Sequence, residues 1–276
     1  MRVCIETVAA RGSPDEAGET TLDAMVMDGQ TQDIGAVGAL RGVRDAAAAA
    51  RMVLERTQHT LLVGDQATAF ALQMGLSPGP ANLSTPESAD EHRLWLDAKC
   101  QPNYRRNVSP DPEKSCGPYR ATAAAAASED SRQPFKRASA DVARDNHDTI
   151  AMFATDAAGR LFGATSTNGA RGKIPGRVGD SPIPGAGLYV LAGVGGCGAT
   201  GDGDVMMRFL PCYQAVESMR LGATPQQAAA DAMAGSRGAG VRGAGCTQTL
   251  RNPTVVSKSS SRMLNRMLNR MLRLSV

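Results

Sequence analysis

No two of the six cysteines, at positions 4, 100, 116, 197, 212 and 246, form a CxxC pair. That argues against a zinc centre, whose ligands come at short fixed spacings. Long apolar runs are missing too, so no segment reads as a bilayer span, which takes about 20 residues. The N-terminal MRVCIETVAARGSPDE lacks the apolar stretch of a signal peptide. Neither sign of charge dominates: 30 Lys and Arg against 27 Asp and Glu leave +3. So small a balance predicts neither a nucleic-acid partner nor attachment to a membrane. His59 and His92 have no partners at ligand spacing. Asp202 and Asp204 lack the rest of a calcium loop. Gly193 to Gly198 matches GxGxxG formally, but no acid closes a second strand about 20 residues on. No metal and no cofactor are expected.

Aromatic residues are scarce at 4%, whereas there are 30 glycines. Many turns and close backbone approaches follow. The length of 276 residues, with 42% hydrophobic and 21% charged, suits one large globular domain or two small ones.

Along the chain, TTLDAMVMD (Thr20 to Asp28) reads as a strand closed by an Asp28-Gly29 turn, with 31–38 as its partner. Val43, Ala46, Ala47, Ala50, Val53 and Leu54 recur at helical spacing. A second helix is expected from about Asp65 to Met74, capped by Gly75, then loop and a short helix around Trp95. Residues 121–146, poor in large apolar side chains, read as an exposed, mobile linker. TIAMFAT, the turn DAAG and RLFGATST predict a second hairpin. Val205 to Met219 predicts one helix kinked at Pro211, and Thr224 to Gln227 a capping box opening another. After Met233 the pattern collapses into a Gly-rich stretch and an Arg-Met-Leu repeat, which reads as a tail or a basic amphipathic segment. This order predicts two antiparallel sheets with helices outside.

Thr149 follows the linker. A hydroxyl is a poor nucleophile without a base beside it. A cut before Thr149 would free its own α-amine, which titrates at about 7.7–8.0 and could act as that base. The ordinary reading is a β-branched residue opening a strand. Arg177 and Asp180 could likewise be a surface ion pair. Cys100 and Cys116 bracket a Pro-rich loop, either as a staple or as two unrelated thiols.

Four motifs stand in order: His147-Asp148-Thr149, Thr165-Ser166-Thr167-Asn168-Gly169, Arg177-Val178-Gly179-Asp180 and Thr200-Gly201-Asp202-Gly203. With SPDEAGETTLDAMVMDG, HTLLVGDQATAFALQMG, CQPNYRRNVSPDPEKSCGPY and DVMMRFLPCYQAVESMRLG, they resemble the glycosylasparaginase and plant-type asparaginase family of N-terminal-nucleophile hydrolases. The likeness covers roughly residues 11–119 and 144–233. It implies an α+β fold, the four-layer αββα sandwich, here missing its first strand and helix and its last strands. The missing strand carries a pocket Trp in the family, and Cys4 would lose its disulfide partner. Residues 1–148 correspond to an α-subunit, with 120–146 as the linker; 149–233 correspond to a β-subunit, and 234–276 to an anomalous basic tail.

The resemblance further implies autocleavage between Asp148 and Thr149. Thr149 becomes the nucleophile, oriented by Thr167, with Thr200 and Gly201 as the oxyanion hole. Arg177 binds the substrate α-carboxylate and Asp180 its α-ammonium. Val178, Gly179, Asp202 and Gly203 complete the substrate loops. Cys100 and Cys116 match a family disulfide. Ala151 stands where the family usually has Gly. The implied activity is cleavage of the side-chain amide of asparagine or N4-(β-N-acetylglucosaminyl)-L-asparagine, releasing aspartate. The alternatives are an L-asparaginase/β-aspartyl (isoaspartyl) peptidase and a truncated, non-catalytic relic. An (αβ)2 assembly and a lysosome-like, vacuole-like or secreted setting are implied as well. The SPDE and CQPNY segments favour the glycosylasparaginase branch.

Overall fold

Strand β1 (Leu22–Asp28) sends alternate side chains to opposite faces, as the pleat requires. Leu22 and Ala24 enter one buried cluster, Met25 and Met27 another. A computed structural model describes residues 12–79, 83–122, 147–156, 158–238 and 247–251. The fold is mixed α+β, with sheet flanked by helices. β1 pairs antiparallel with β2 (Ile34–Leu40) and with β7 (Leu161–Ala170). β6 (His147–Thr155) lies beyond β7, and β3 (Leu61–Val63) adds parallel to β2. The five strands run in the order β3-β2-β1-β7-β6. A second sheet has β8 (Leu188–Leu191) and β10 (Thr247–Arg251) on either side of β9 (Gly195–Ala199).

Helices α1 (Ala46–Arg56) and α2 (Gly64–Gln73) supply the cluster around Leu22 and Val37. Met25 and Met27 meet Leu188 and Val190 of β8, so that cluster lies between the sheets. On the far side, Cys197 and Ala199 of β9 pack with Cys212, Ala215, Val216 and Met219 of α5 (Pro211–Arg220) and Ala228 and Ala232 of α6 (Pro225–Gly238).

Gly35 shows how close α1 sits. A Cβ there would meet the carbonyl oxygen of Ala50 at 2.1 Å and the nitrogen of Leu54 at 2.4 Å. Both are helix backbone and cannot rotate away. Gly35→Ala is therefore expected to cost about 3 kcal/mol or more, the upper range for overpacking. An unchanged urea midpoint in the purified variant would contradict this packing.

Several expectations need correction. The first hairpin turn is longer than two residues, because the Asp28 carboxylate accepts the N–H groups of Gln30 and Thr31 and delays β2 to Ile34. In α1, Ala49 is buried in place of Ala47. The helix near Trp95, α3 (Pro86–Asp97), has 12 residues, opened by a capping box between Thr85 and Ser88. Pro211 does not kink a helix. It stands in the first turn of α5, after Leu210 in left-handed backbone (φ 48°), where its missing N–H costs nothing. The shorter α4 (Gly203–Met206) precedes it.

The capping box at Thr224 and Gln227 is present, with the Gln227 N–H donating to Thr224 Oγ1 at 3.3 Å. α6 continues past Met233 to Gly238, and β10 pairs with β9 where only tail is expected. Arg120 and Ala121 form the short β5, paired with β4 (Val108–Ser109). The remaining linker from 123 to 146 and the Arg-Met-Leu repeat lie outside the described residues. Among the described residues no helix is long and apolar enough to cross a membrane.

Candidate active site

Strand register brings three polar residues into one row. Asp23 on β1 lies opposite Thr167 on β7, and Thr167 lies opposite Thr149 on β6. Directly opposed residues share a face, and this is the face that Met25 and Met27 turn toward the second sheet. The hydroxyl oxygens of Thr149 and Thr167 are 3.0 Å apart. Thr167 Oγ1 also accepts the Gly169 N–H at 2.9 Å.

The β6–β7 ladder slips beside Thr149. Asp148 pairs with Gly169 and Thr149 with Thr167, so Asn168 is an extra residue opposite the Asp148–Thr149 junction. A bulge of this kind bends the strand and re-aims side chains. Asn168 is buried, and Gly169 takes left-handed backbone (φ 75°), which glycine adopts without strain.

The second sheet brings Thr200. Cys197 and Ala199 face the helices, whereas Gly196 and Gly198 face β6. A Cβ on Gly198 would lie 2.6 Å from the Ala151 Cβ, and one on Gly196 would lie 2.7 Å from the Phe153 ring. The methyl of Ala151 thus occupies room that Gly198 leaves. The Gly193–Gly198 run is a hairpin between antiparallel strands, not a dinucleotide loop. Continuing the alternation, Thr200 falls on the β6 side, two residues past Gly198. Its Oγ1 is buried and finds no hydrogen-bond partner among the described residues. Gly201 follows in positive-φ backbone (φ 144°).

Arg177 and Asp180 converge with Gly203. A Cβ on Gly203 would sit 2.5 Å from Asp180 Oδ1 and 3.1 Å from Arg177 Nη2. The two are not a surface ion pair: Asp180 is buried, and Arg177 pairs with Asp204 at 3.3 Å. Burial opposes the Arg177 charge, but Asp204 outweighs that and holds its pKa above the ordinary value. Burial raises Asp180 to about 6, against the pull of its own N–H and of Arg177. Asp180 Oδ2 finds no partner among the described residues. A cationic and an anionic head stand side by side, as the two ends of a free amino acid require.

Gly179 donates its N–H to Asp23 Oδ2 at 3.0 Å, while Asp23 Oδ1 accepts from Ala39 at 2.8 Å. Val178 packs over Gly38. Asp202 is buried, and its carbonyl accepts the Val205 and Met206 N–H groups that start α4. Lys173, also buried, donates from Nζ to the Asn168 carbonyl. Sequence reasoning missed Asp23, Lys173 and the role of Asp204. Their positions inside SPDEAGETTLDAMVMDG, the Lys-Ile-Pro run and the Gly-Asp-Gly-Asp run were the available signal.

Cys100 and Cys116 are joined in a disulfide. His92 stacks on Trp95 and lies 3.2 Å from the Glu16 carbonyl, in the outer loop region. No group of three or more metal-ligating side chains occurs among the described residues.

A family model described as "Asparaginase" matches residues 3–266. The chain belongs to the asparaginase family. Its relatives include the N4-(β-N-acetylglucosaminyl)-L-asparaginases of Rattus norvegicus and Mus musculus, each 54% identical, covering 82% and 80% of this chain. A protein of Arabidopsis thaliana named "Probable isoaspartyl peptidase/L-asparaginase 3" is 52% identical over 83% of the chain. This family member spans 63%, 62% and 65% of the length of those three relatives. The match to residue 266 runs beyond Met233, where the periodic pattern ends.

Proposed function

We propose that this protein is a self-processing threonine amidohydrolase of the glycosylasparaginase type. The observation that carries the reading is the Thr149–Thr167 hydroxyl pair beside a strand bulge at the Asp148–Thr149 junction. In the first step the Thr149 oxygen attacks the Asp148 carbonyl, and the peptide becomes an ester. Water then hydrolyses the ester and leaves Thr149 with a free α-amine. That amine takes the hydroxyl proton when the mature enzyme attacks its substrate.

Arg177 holds the substrate α-carboxylate and Asp180 the α-ammonium, within loops shaped by Val178, Gly179, Asp202 and Gly203. The side-chain carbonyl then faces Thr149, and its oxyanion is held by Thr200 Oγ1 and the Gly201 N–H. A β-aspartyl ester forms, and water releases aspartate. The names of the rat and mouse relatives support N4-(β-N-acetylglucosaminyl)-L-asparagine as substrate. The Arabidopsis name supports a second reading, hydrolysis of isoaspartyl peptides or asparagine. The layer order fits the four-layer αββα sandwich. An (αβ)2 assembly belongs to the same reading. The Cys100–Cys116 disulfide fits a lumenal or secreted setting.

The test is aspartate release from glycosylasparagine, asparagine and a β-aspartyl dipeptide, each with a free and an acetylated α-amine. Glycosylasparagine should turn over fastest, and acetylation should abolish turnover. Preference for the dipeptide would select the second reading; indifference to acetylation would remove Asp180 from the site. Because Asp180 titrates at about 6 and binds an ammonium only when ionised, KM should rise as pH falls below that value.

A further inference from the structure

Lys173 is a buried cation that the proposed chemistry leaves unused. Its backbone is anchored to the loop before β1: the Glu16 N–H donates to the Lys173 carbonyl at 2.9 Å, and Gly172 donates to Pro14 at 2.8 Å. Its Nζ donates to the Asn168 carbonyl. That carbonyl and the Gly169 N–H belong to one peptide group. The Gly169 N–H donates to Thr167 Oγ1, which lies against Thr149 Oγ1.

The contacts therefore form a single line: the Lys173 ammonium, the Asn168–Gly169 peptide, the Thr167 hydroxyl, the Thr149 hydroxyl. A cation on a peptide carbonyl draws electron density toward oxygen and makes the attached N–H a stronger donor. Chains of hydrogen bonds strengthen one another in this way. Either threonine hydroxyl can rotate to donate. When Thr167 donates toward Thr149, every link points the same way, toward the oxygen on which negative charge grows during attack. The same contact pins the bulge residue Asn168 opposite the Asp148–Thr149 junction.

We infer that Lys173 is a positioning residue for self-cleavage, acting through the Asn168–Gly169 peptide to fix and polarise the Thr167–Thr149 hydroxyl pair. This rests on the reading of Thr149 as the nucleophile. The role requires the charged ammonium, because a neutral amine donates weakly and withdraws little density. Burial lowers the Lys173 pKa to about 8, opposed by Asp23, with Arg177 lowering it further and Asp15 and Glu19 raising it. These four are the charged groups that act on it. As pH rises through about 8 the ammonium is lost, and with it the push on Thr167.

The experiment follows conversion of the full chain into two fragments by intact mass, across pH, for wild type, Lys173→Arg and Lys173→Met. Wild-type cleavage should slow as pH passes about 8. Lys173→Arg stays charged at every accessible pH, so its rate should show no such fall. Lys173→Met should cleave about ten- to a hundredfold more slowly at neutral pH, the scale of one charged hydrogen bond. Identical alkaline limbs in wild type and Lys173→Arg would overturn the inference, as would a wild-type rate in Lys173→Met. If Lys173→Met fails to fold, the comparison of the two charged forms decides alone. A wild type that never cleaves points instead to failure of the nucleophile reading, and removes this inference with it.

Discussion

Replacing Thr149 with alanine is expected to leave one uncut chain and no aspartate release. Both steps proposed here use the same oxygen. In the first it attacks the Asp148 carbonyl; in the second it attacks the substrate. The Thr167 hydroxyl, 3.0 Å away, has no other role in either step. Removing a covalent nucleophile costs about six decades of turnover in enzymes where it has been measured. The fold should tolerate the change, because Thr149 is only half-buried on an edge strand. Intact mass should show a single species for Thr149→Ala where wild type gives two. Two fragments from the alanine variant would show that a contaminating protease makes the cut, and the self-processing reading would fall.

Gly203→Ala should abolish substrate use while leaving self-cleavage intact. The added methyl would lie 2.5 Å from Asp180 Oδ1, 2.9 Å from the Asp180 nitrogen and 3.1 Å from Arg177 Nη2. The carboxylate cannot simply rotate away, since its neighbour is backbone and Asp180 is buried. Either the Arg177–Asp180 loop or the start of α4 must move. Misplacement by about 1 Å costs about 100-fold in a positioned reaction, and here both charged heads shift together. Cleavage before Thr149 needs no substrate and should proceed. Measuring kcat/KM on processed protein checks this, and an unimpaired Gly203→Ala enzyme would move the amino-acid site elsewhere.

Much of this arrangement is legible in the chain itself. Hydrophobic period locates α1 and α2, and alternation locates β1 and β7. The capping box locates α6. The motifs around Thr149, Thr167, Arg177, Asp180 and Thr200 stand out as a set. Other parts need three dimensions. Leu61–Val63 is too short to announce a strand, and its parallel pairing depends on how α1 returns the chain. Gly-Gly-Cys-Gly-Ala has almost no strand propensity. It becomes a strand because Gly196 and Gly198 let the sheets close on Ala151 and Phe153. Asp23 and Lys173 look like ordinary charges until burial places them beside the threonine pair. Pro211 can end or begin a helix, and only the backbone of Leu210 decides which.

The thiols of Cys197 and Cys212 touch at 2.6 Å inside the layer between β9 and α5, both fully buried. Burial raises the Cys212 pKa, so little thiolate is present to react. Solvent reagents can reach either sulfur only when β9 parts from α5. The residues between the two cysteines include Thr200, Gly201 and Gly203. Alkylation at these positions, followed by peptide mapping, is thus an intrinsic clock for breathing of the oxyanion segment. A ligand seated against that segment should slow the clock without touching either sulfur.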